Sequence, residues 1–289
     1  MLHLIENHYL RAALSPQGAE LSSLYCKNSK KELIWQGDPD IWSGHSPLLF
    51  PVVGKLKGDQ YEWQGKTYAM PKHGFARKSC FAVSAKEEDS ITFSLVDSVE
   101  TRPIYPFAFR LDITFFLAPK QLKVLHTVYN PSATETLPFS IGAHPGFNCL
   151  VGDSLVFEHC EAPFACRLGR DMLLSAAPEA IPMEGDRLII TEELFAADAL
   201  IFQELKSRSV TLRHKTGEDV VRMDWFDAPV LGLWAKPGAP YVCVEPWYGV
   251  DDHFAVSGNL SEKPHIILLA PLSRFEFPVH ITALHSHST

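Results

Sequence analysis

The stretch Phe107-Ala108-Phe109-Arg110-Leu111-Asp112-Ile113-Thr114-Phe115 alternates with a period of two. Phe107, Phe109, Leu111, Ile113 and Phe115 fall on one side, and Ala108, Arg110, Asp112 and Thr114 on the other. That is the pattern of a strand with one face in a core and the other toward water. After the turn-like gap Ala118-Pro119-Lys120-Gln121, residues 122–129 read as its hairpin partner. Residues 274–281 alternate as well, and Pro278, which has no N–H to give to a ladder, predicts an edge or a bulge there. Shorter strands are expected at 91–96, 199–202, 210–213, 220–225, 231–234 and 241–245. Helical patterning is confined to 172–177 and 191–197, two turns at most in each. The 21 prolines and 17 glycines break the chain at frequent intervals, as the turns of an antiparallel β protein do. No Gly/Ser linker, charge block or fixed-period repeat divides it. The expectation is an all-β fold, a single domain over 1–289 built as one large antiparallel β-sandwich with few short helices.

Composition narrows the function. The 289 residues are 46% hydrophobic and 21% charged, too apolar for a disordered chain. A formal net charge of −8 argues against nucleic-acid or anionic-membrane partners, which would select an excess of Lys and Arg. No apolar run approaches the ~20 residues of a membrane span. The start, Met1-Leu2-His3-Leu4-Ile5-Glu6-Asn7, lacks the basic and apolar regions of a signal peptide, so a cytoplasmic location is expected. Six cysteines (Cys26, Cys80, Cys149, Cys160, Cys166, Cys243) form no C-x-x-C pair, which predicts reduced thiols and no structural metal.

Several signatures begin and then fail. Gly44-His45-Ser46-Pro47-Leu48 opens like a nucleophile elbow, but Leu48 replaces the closing glycine. His159-Cys160-Glu161 resembles half of a zinc-deaminase motif without the Pro-Cys-x-x-Cys that should follow. No phosphate-cradling loop, dinucleotide fingerprint or His-Glu-x-x-His is present. His285 and His287 sit in a polar tail of the kind that is ordinarily just solvated.

Four polar positions stand in unusual surroundings. His144, in Ser140-Ile141-Gly142-Ala143-His144-Pro145-Gly146-Phe147, precedes a proline and so tends to be extended, with glycines on either side that let backbone approach something closely. A histidine bonding backbone where a strand leaves a sheet would fit equally. His73, in Met70-Pro71-Lys72-His73-Gly74-Phe75-Ala76-Arg77, shares a loop with cations. Glu245 closes the apolar run Tyr241-Val242-Cys243-Val244 and is followed by Pro246-Trp247; a carboxylate there must be paired, hydrogen-bonded or raised in pKa, as a general acid or base requires. Asp198 precedes an apolar strand, where a turn role is the commoner reading, and Asp224 beside Trp225 competes with it. Six tryptophans (Trp35, Trp42, Trp63, Trp225, Trp234, Trp247) supply flat apolar faces suited to sugar C–H groups, although core packing is the plainer account of most. Aromatics, one special glutamate, two histidines and no cofactor motif together suggest a carbohydrate ligand.

Five segments in order, Pro51-Val52-Val53-Gly54-Lys55-Leu56-Lys57-Gly58, residues 70–77, Tyr105-Pro106-Phe107, residues 140–147 and Val244-Glu245-Pro246-Trp247-Tyr248-Gly249, resemble the aldose 1-epimerase (galactose mutarotase) family, in particular its LacX-type branch. The resemblance runs from about residue 4 to 281. It implies a supersandwich with the sugar in a cleft on one sheet, and a chemistry that uses neither metal nor cofactor. By that resemblance Glu245 is the base that deprotonates the anomeric hydroxyl, and His144 is the acid that protonates the ring oxygen, the two lying on opposite sides of the hemiacetal. His73, Asp198, Lys55 and Arg77 would bind substrate. Lys55 stands where many members have arginine, and lysine lacks the planar fork that holds two oxygens. Lys55, Lys57, Lys72 and Arg77 could instead gather round a phosphate, as in hexose-6-phosphate epimerases. A non-catalytic sugar-binding protein on the same scaffold is the contrasting reading, and glycoside hydrolysis, which needs two carboxylates, ranks last. A monomer or homodimer with a small sugar as its partner is expected.

Overall fold

The computed structural model describes residues 1–169, 171–175 and 177–284; the tail histidines His285 and His287 lie outside the described residues. The alternating stretch opens a nine-stranded antiparallel sheet. Its order is Arg187–Ile189, Ser154–Phe157, Ser209–Arg213, Asp219–Asp224, Arg274–Ala283, Gln121–Tyr129, Arg110–Ala118, Ser90–Val96 and Ala82–Lys86. Arg110–Ala118 pairs with Gln121–Tyr129 from Arg110↔Tyr129 to Ala118↔Gln121, which leaves a two-residue turn with Lys120 at φ 57°. Leu111, Ile113, Phe115 and Leu117 are buried, as the period demands.

The strand Arg274–Ala283 is interior, not an edge. Pro278 is nonetheless tolerated, because pairing with Asp219–Asp224 ends at Asp224↔His280 and leaves Pro278 with a neighbour on one flank only.

A six-stranded sheet packs across from this one. It runs Leu200–Phe202, Val230–Trp234, Tyr241–Tyr248, Ile141–Ala143 and Leu48–Leu49, with Gly146–Asn148 also paired to Tyr241–Tyr248. Tyr248 meets Phe275 and Phe277 of the first sheet at ring separations of 5.0 and 5.4 Å. A void of about 30 Å³ is bordered by Ile113, Phe115, Val124 and Val279 on one side and Leu48 and Ala143 on the other. A four-stranded sheet of His3–Glu6, Leu10–Ser15, Glu20–Cys26 and Lys31–Glu32 adds its apolar residues to the same core.

Among the described residues helix is limited to three 3₁₀ turns, Lys57–Asp59, Ala76–Lys78 and Leu260–Glu262, and no helix is long and apolar enough to cross a membrane. The helices expected at 172–177 and 191–197 are corrected. Leu174 makes bridges to Leu168 and His253, and the second segment is a series of turns ending with Asp198 N–H donating to the Phe195 carbonyl. No disulfide joins the cysteines among the described residues; Cys26, Cys149 and Cys243 are buried, Cys166 is half-buried, and Cys80 and Cys160 are exposed.

Candidate active site

In an antiparallel sheet, residues directly opposite one another share a face. Along Tyr241–Tyr248 this places Tyr241, Cys243, Glu245 and Trp247 on one face, with Trp234, Gly232 and Val230 facing Cys243, Glu245 and Trp247 from the neighbouring strand. Val242, Val244 and Pro246 turn to the core. On the other flank the neighbour is interrupted. Ile141–Ala143 pairs beside Trp247 and Tyr248, Gly146–Asn148 pairs beside Cys243 to Tyr241, and His144-Pro145 steps out between them. The proline suits that break. It needs no partner for a missing N–H, it keeps His144 extended, and its carbonyl accepts the Val244 N–H at 3.1 Å. The step carries the His144 imidazole to the carboxyl of Glu245, with Nε2 3.1 Å from Oε2. Glu245 is 2% exposed and His144 9%.

The glycines explain what approaches closely. A Cβ on Gly142 would lie 2.6 Å from Trp247 Cδ1, and one on Gly232 2.6 Å from Trp247 Cζ2, so the indole lies flat over both neighbouring strands. A Cβ on Gly146 would lie 2.8 Å from Trp42. Trp42 stacks on Tyr241 at 5.1 Å and faces His144 at 5.4 Å, while Trp234 meets His144 edge-on at 5.9 Å.

His73 is held by the segment after Pro51. The Gly54 N–H donates to His73 Nδ1 at 3.1 Å, and the His73 N–H donates to the Gly54 carbonyl at 2.8 Å. The neutral ring therefore carries its proton on Nε2. His73 stands perpendicular to His144, with ring centres 6.1 Å apart.

These groups line a cleft of about 230 Å³ with Lys72, Arg77, Asp198, Ile201 and Asp251. That is below the ~300–1,000 Å³ usual for drug-sized ligands, so the cleft suits a small one. Two larger cavities, of about 300 Å³ beside Leu56 and Lys263 and about 610 Å³ beside Cys160 and Lys206, bring no imidazole into contact with a carboxylate among the described residues.

Asp198 sits in the cleft at φ 67°, its Oδ1 accepting the Ala199 N–H and its carbonyl accepting from Arg167. Asp224 does not; it lies on the nine-stranded sheet and is paired with Arg222 at 2.8 Å. Arg77 donates from Nη2 to the Lys72 carbonyl at 2.7 Å, and its Nε is buried with no partner among the described residues. Lys55 is the departure. Its ammonium turns away to Asp59 at 3.2 Å, and it serves the site through its backbone N–H, which donates to Asp251 Oδ1 at 2.6 Å. Lys57 is likewise spent on the Phe254 carbonyl and ring. Of the four cations that could have clustered, Lys72 and Arg77 reach the cleft. Asp251, 1% exposed, was not singled out from the sequence; Val-Asp-Asp after Trp-Tyr-Gly carries no signal of its own. Of the six tryptophans, Trp42, Trp234 and Trp247 line the cleft, whereas Trp225 is core.

Burial sets the electrostatics. It pushes the Glu245 carboxyl well above the ordinary carboxylate range; Lys72 opposes this, Asp251 and Asp198 add to it, and the Trp247 N–H favours the ionised form without closing a hydrogen bond of standard geometry. Burial likewise lowers His144 to about 3, with Arg77 and Lys72 contributing, and lowers His73 well below its usual value. Each charged form is disfavoured alone, so the pair rests with one shared proton and no net charge. Imidazole and carboxyl lie side by side, Nε2 3.1 Å from Oε2. An arrangement with a donor and an acceptor 3.1 Å apart can give a proton to one oxygen of a ligand while taking one from its neighbour.

The chain resembles known proteins over nearly its whole length. The profile of the aldose 1-epimerase family matches residues 1–281. Protein LacX of Lactococcus lactis subsp. lactis is 31% identical, over 97% of this chain and 98% of its own length. The solved structure of a galactose mutarotase related enzyme from Lactobacillus acidophilus superposes with a TM-score of 0.91 at 33% identity, covering 100% of this chain and 99% of the other. A galactose mutarotase-like protein from Lactobacillus casei does so with a TM-score of 0.91 at 31% identity, covering 98% and 100%.

Proposed function

The chain belongs to the aldose 1-epimerase family, and from that premise we propose that it interconverts the α and β anomers of a free aldohexose by acid–base opening and closing of the ring. The observation that carries the reading is the 3.1 Å contact between His144 Nε2 and Glu245 Oε2 on the floor of a cleft walled by tryptophans. The hydroxyl oxygen and the ring oxygen of a hemiacetal are both bonded to C1, so two adjacent proton-handling groups can address both at once. Moving the shared proton from the carboxyl to the imidazole creates the reactive form. Glu245 then takes the proton of the C1 hydroxyl while His144 gives its own to the ring oxygen. The C1–O5 bond breaks, the C1 carbonyl forms, and the pair ends with the proton on Glu245. Rotation about C1–C2 presents the other carbonyl face, and closure runs the same transfers backwards. Lys72 and the Trp247 N–H favour the carboxylate in that form. His73, through its Nε2–H, and Asp198 are placed to hold sugar hydroxyls, and Trp42, Trp234 and Trp247 offer faces to the ring's C–H groups.

The test is polarimetry of freshly dissolved α-glucose and α-galactose, with the spontaneous rate subtracted. Acceleration by the protein that Glu245→Gln abolishes supports the reading; sugar binding without acceleration assigns the cleft to a non-catalytic binder. A 6-phosphorylated substrate is the second reading, favoured by the buried, unpartnered Nε of Arg77 beside Lys72. Running α-glucose 6-phosphate in the same assay decides between them.

A further inference from the structure

One buried nucleophile beside the pair takes no part in the reaction above. Cys243 precedes Glu245 by two positions on the same strand and therefore shares its face, and it is fully buried. One ligand atom each from His144, Cys243 and Glu245 all lie within 4.8 Å of one another. We propose that the cleft floor is also a site for a thiophilic divalent cation, held as Zn²⁺ by His144 Nε2, a Glu245 oxygen and Cys243 Sγ, and that its occupancy switches the epimerase off.

The ligand chemistry is that of zinc: an imidazole nitrogen, a carboxylate oxygen and a thiolate. The geometry is near. With Zn–N and Zn–O bonds of about 2.0–2.2 Å, a tetrahedral site spaces nitrogen and oxygen by about 3.3 Å, and these two stand at 3.1 Å. With a Zn–S bond of about 2.3 Å the sulfur must stand about 3.6 Å from either, so from separations within 4.8 Å side-chain rotation has to close at most about 1.2 Å. Two of the three ligands, His144 and Glu245, line the cleft, and three protein ligands leave a fourth position for water, as in zinc sites that stay open.

Charge balances as well. Zn²⁺ entry releases the Cys243 thiol proton and the one proton shared by His144 and Glu245; two positive charges replace two, and a buried floor keeps its net charge. Lys72 repels the ion, and the Asp198 and Asp251 carboxylates beside Glu245 offset that repulsion. The bound ion takes both groups that move protons, so epimerisation stops. The binding claim rests on these three side chains; its consequence for activity rests on the epimerase reading.

The test uses the full-length protein with Cys80→Ser and Cys160→Ser, which removes the two exposed thiols. Co²⁺ serves as a spectroscopic stand-in for Zn²⁺. A thiolate-to-cobalt band in the near ultraviolet with tetrahedral visible bands, saturating at about one equivalent and displaced by Zn²⁺, is expected. The thiolate band is lost in Cys243→Ala, and His144→Asn, which leaves the thiol in place, weakens Zn²⁺ by at least about tenfold, the lower end of what even outer partners of a metal cost. No uptake at micromolar metal, or bands that persist in both variants, overturns the site. In the activity arm Zn²⁺ inhibits the parent, a chelator restores it, and the rate of Cys243→Ala no longer responds to Zn²⁺; an uninhibited parent with metal bound overturns the switch. A protein that binds metal as described yet accelerates no sugar leaves the metal site standing and refutes the epimerase reading alone.

Discussion

If Glu245 and His144 share one proton, they fail together. General acid or base catalysis by one positioned group contributes about 10²–10⁴-fold, or about 3–5 kcal/mol at 1.36 kcal/mol per tenfold. Were the two groups independent, Glu245→Gln with His144→Asn would cost the product, about 10⁴–10⁸-fold. The 3.1 Å contact and the mutual absence of charge make them one unit. The amide that Glu245→Gln introduces cannot accept the proton that His144 must pass on, and without the imidazole Glu245 has nothing nearby to hold the proton it exchanges. Each single variant should therefore lose about 10²–10⁴-fold in kcat, and the double variant no more than the worse single, a coupling energy of about 3–5 kcal/mol. Exchange spectroscopy by NMR on saturating glucose or galactose, corrected for spontaneous anomer exchange, measures all four corners, with thermal unfolding of each as a control. A multiplicative double variant refutes the shared proton, and a Glu245→Gln protein at wild-type rate refutes the base itself.

Gly232→Ala should cost about 1–3 kcal/mol in stability by overpacking and lower kcat/KM, because its Cβ would lie 2.6 Å from an indole that Gly142 blocks from the other side; denaturant melts and kinetics read both. Glu245→Gln should stabilise the protein increasingly as pH rises. The folded carboxyl binds its proton more tightly than the unfolded one, so the wild type loses stability above the unfolded pKa of about 4.3 while the amide does not; a gap in urea midpoint that stays constant from pH 5 to 8 contradicts this. His126, fully enclosed and lowered to about 4, acts with the opposite sign. Acidification from its unfolded pKa of about 6.5 should remove up to about 3 kcal/mol, a part that His126→Phe abolishes in midpoints between pH 7 and 4.5. Lys55→Ala should leave KM within about twofold, since its half-exposed ion pair with Asp59 is worth little, whereas Lys72→Ala should lower kcat/KM about tenfold or more; equal effects would refute the cleft lining.

Period-two alternation made the nine-stranded sheet legible, because one of its faces is packed and the other is not: Leu111, Ile113 and Phe115 are buried, while Arg110 is exposed. The six-stranded sheet was harder to read. Its central strand is covered on both faces, so Tyr241 to Trp247 shows no alternation, and Pro246 reads as its end, at 245. The strand runs on to Tyr248 because Pro246 lies opposite Leu231 on one flank and beside the His144-Pro145 break on the other, where a missing donor costs least. The two helical readings failed for another reason. Six or seven residues with mixed periodicity do not offset the cost of starting a helix; bridges to distant segments decided the first and local turns the second.

The site divides along the same line. Residues whose peculiarity is local could be read: a glutamate inside an apolar run, a histidine before proline between glycines. Asp251 and Lys55 could not, because their roles depend on one contact made across nearly two hundred residues. Gly54, at φ 74°, brings the backbone so close to Asp251 that a Cβ there would meet its Cγ at 2.3 Å. That approach delivers the Lys55 N–H to the buried carboxylate and aims the Lys55 side chain out toward Asp59. What Lys55 gives Asp251 is its backbone N–H, which any residue but proline can supply. The Lys55 ammonium is accordingly directed to Asp59 and not into the cleft. What distinguishes this cleft must be sought in Lys72, Arg77, Asp198 and Asp251, whose side chains line it.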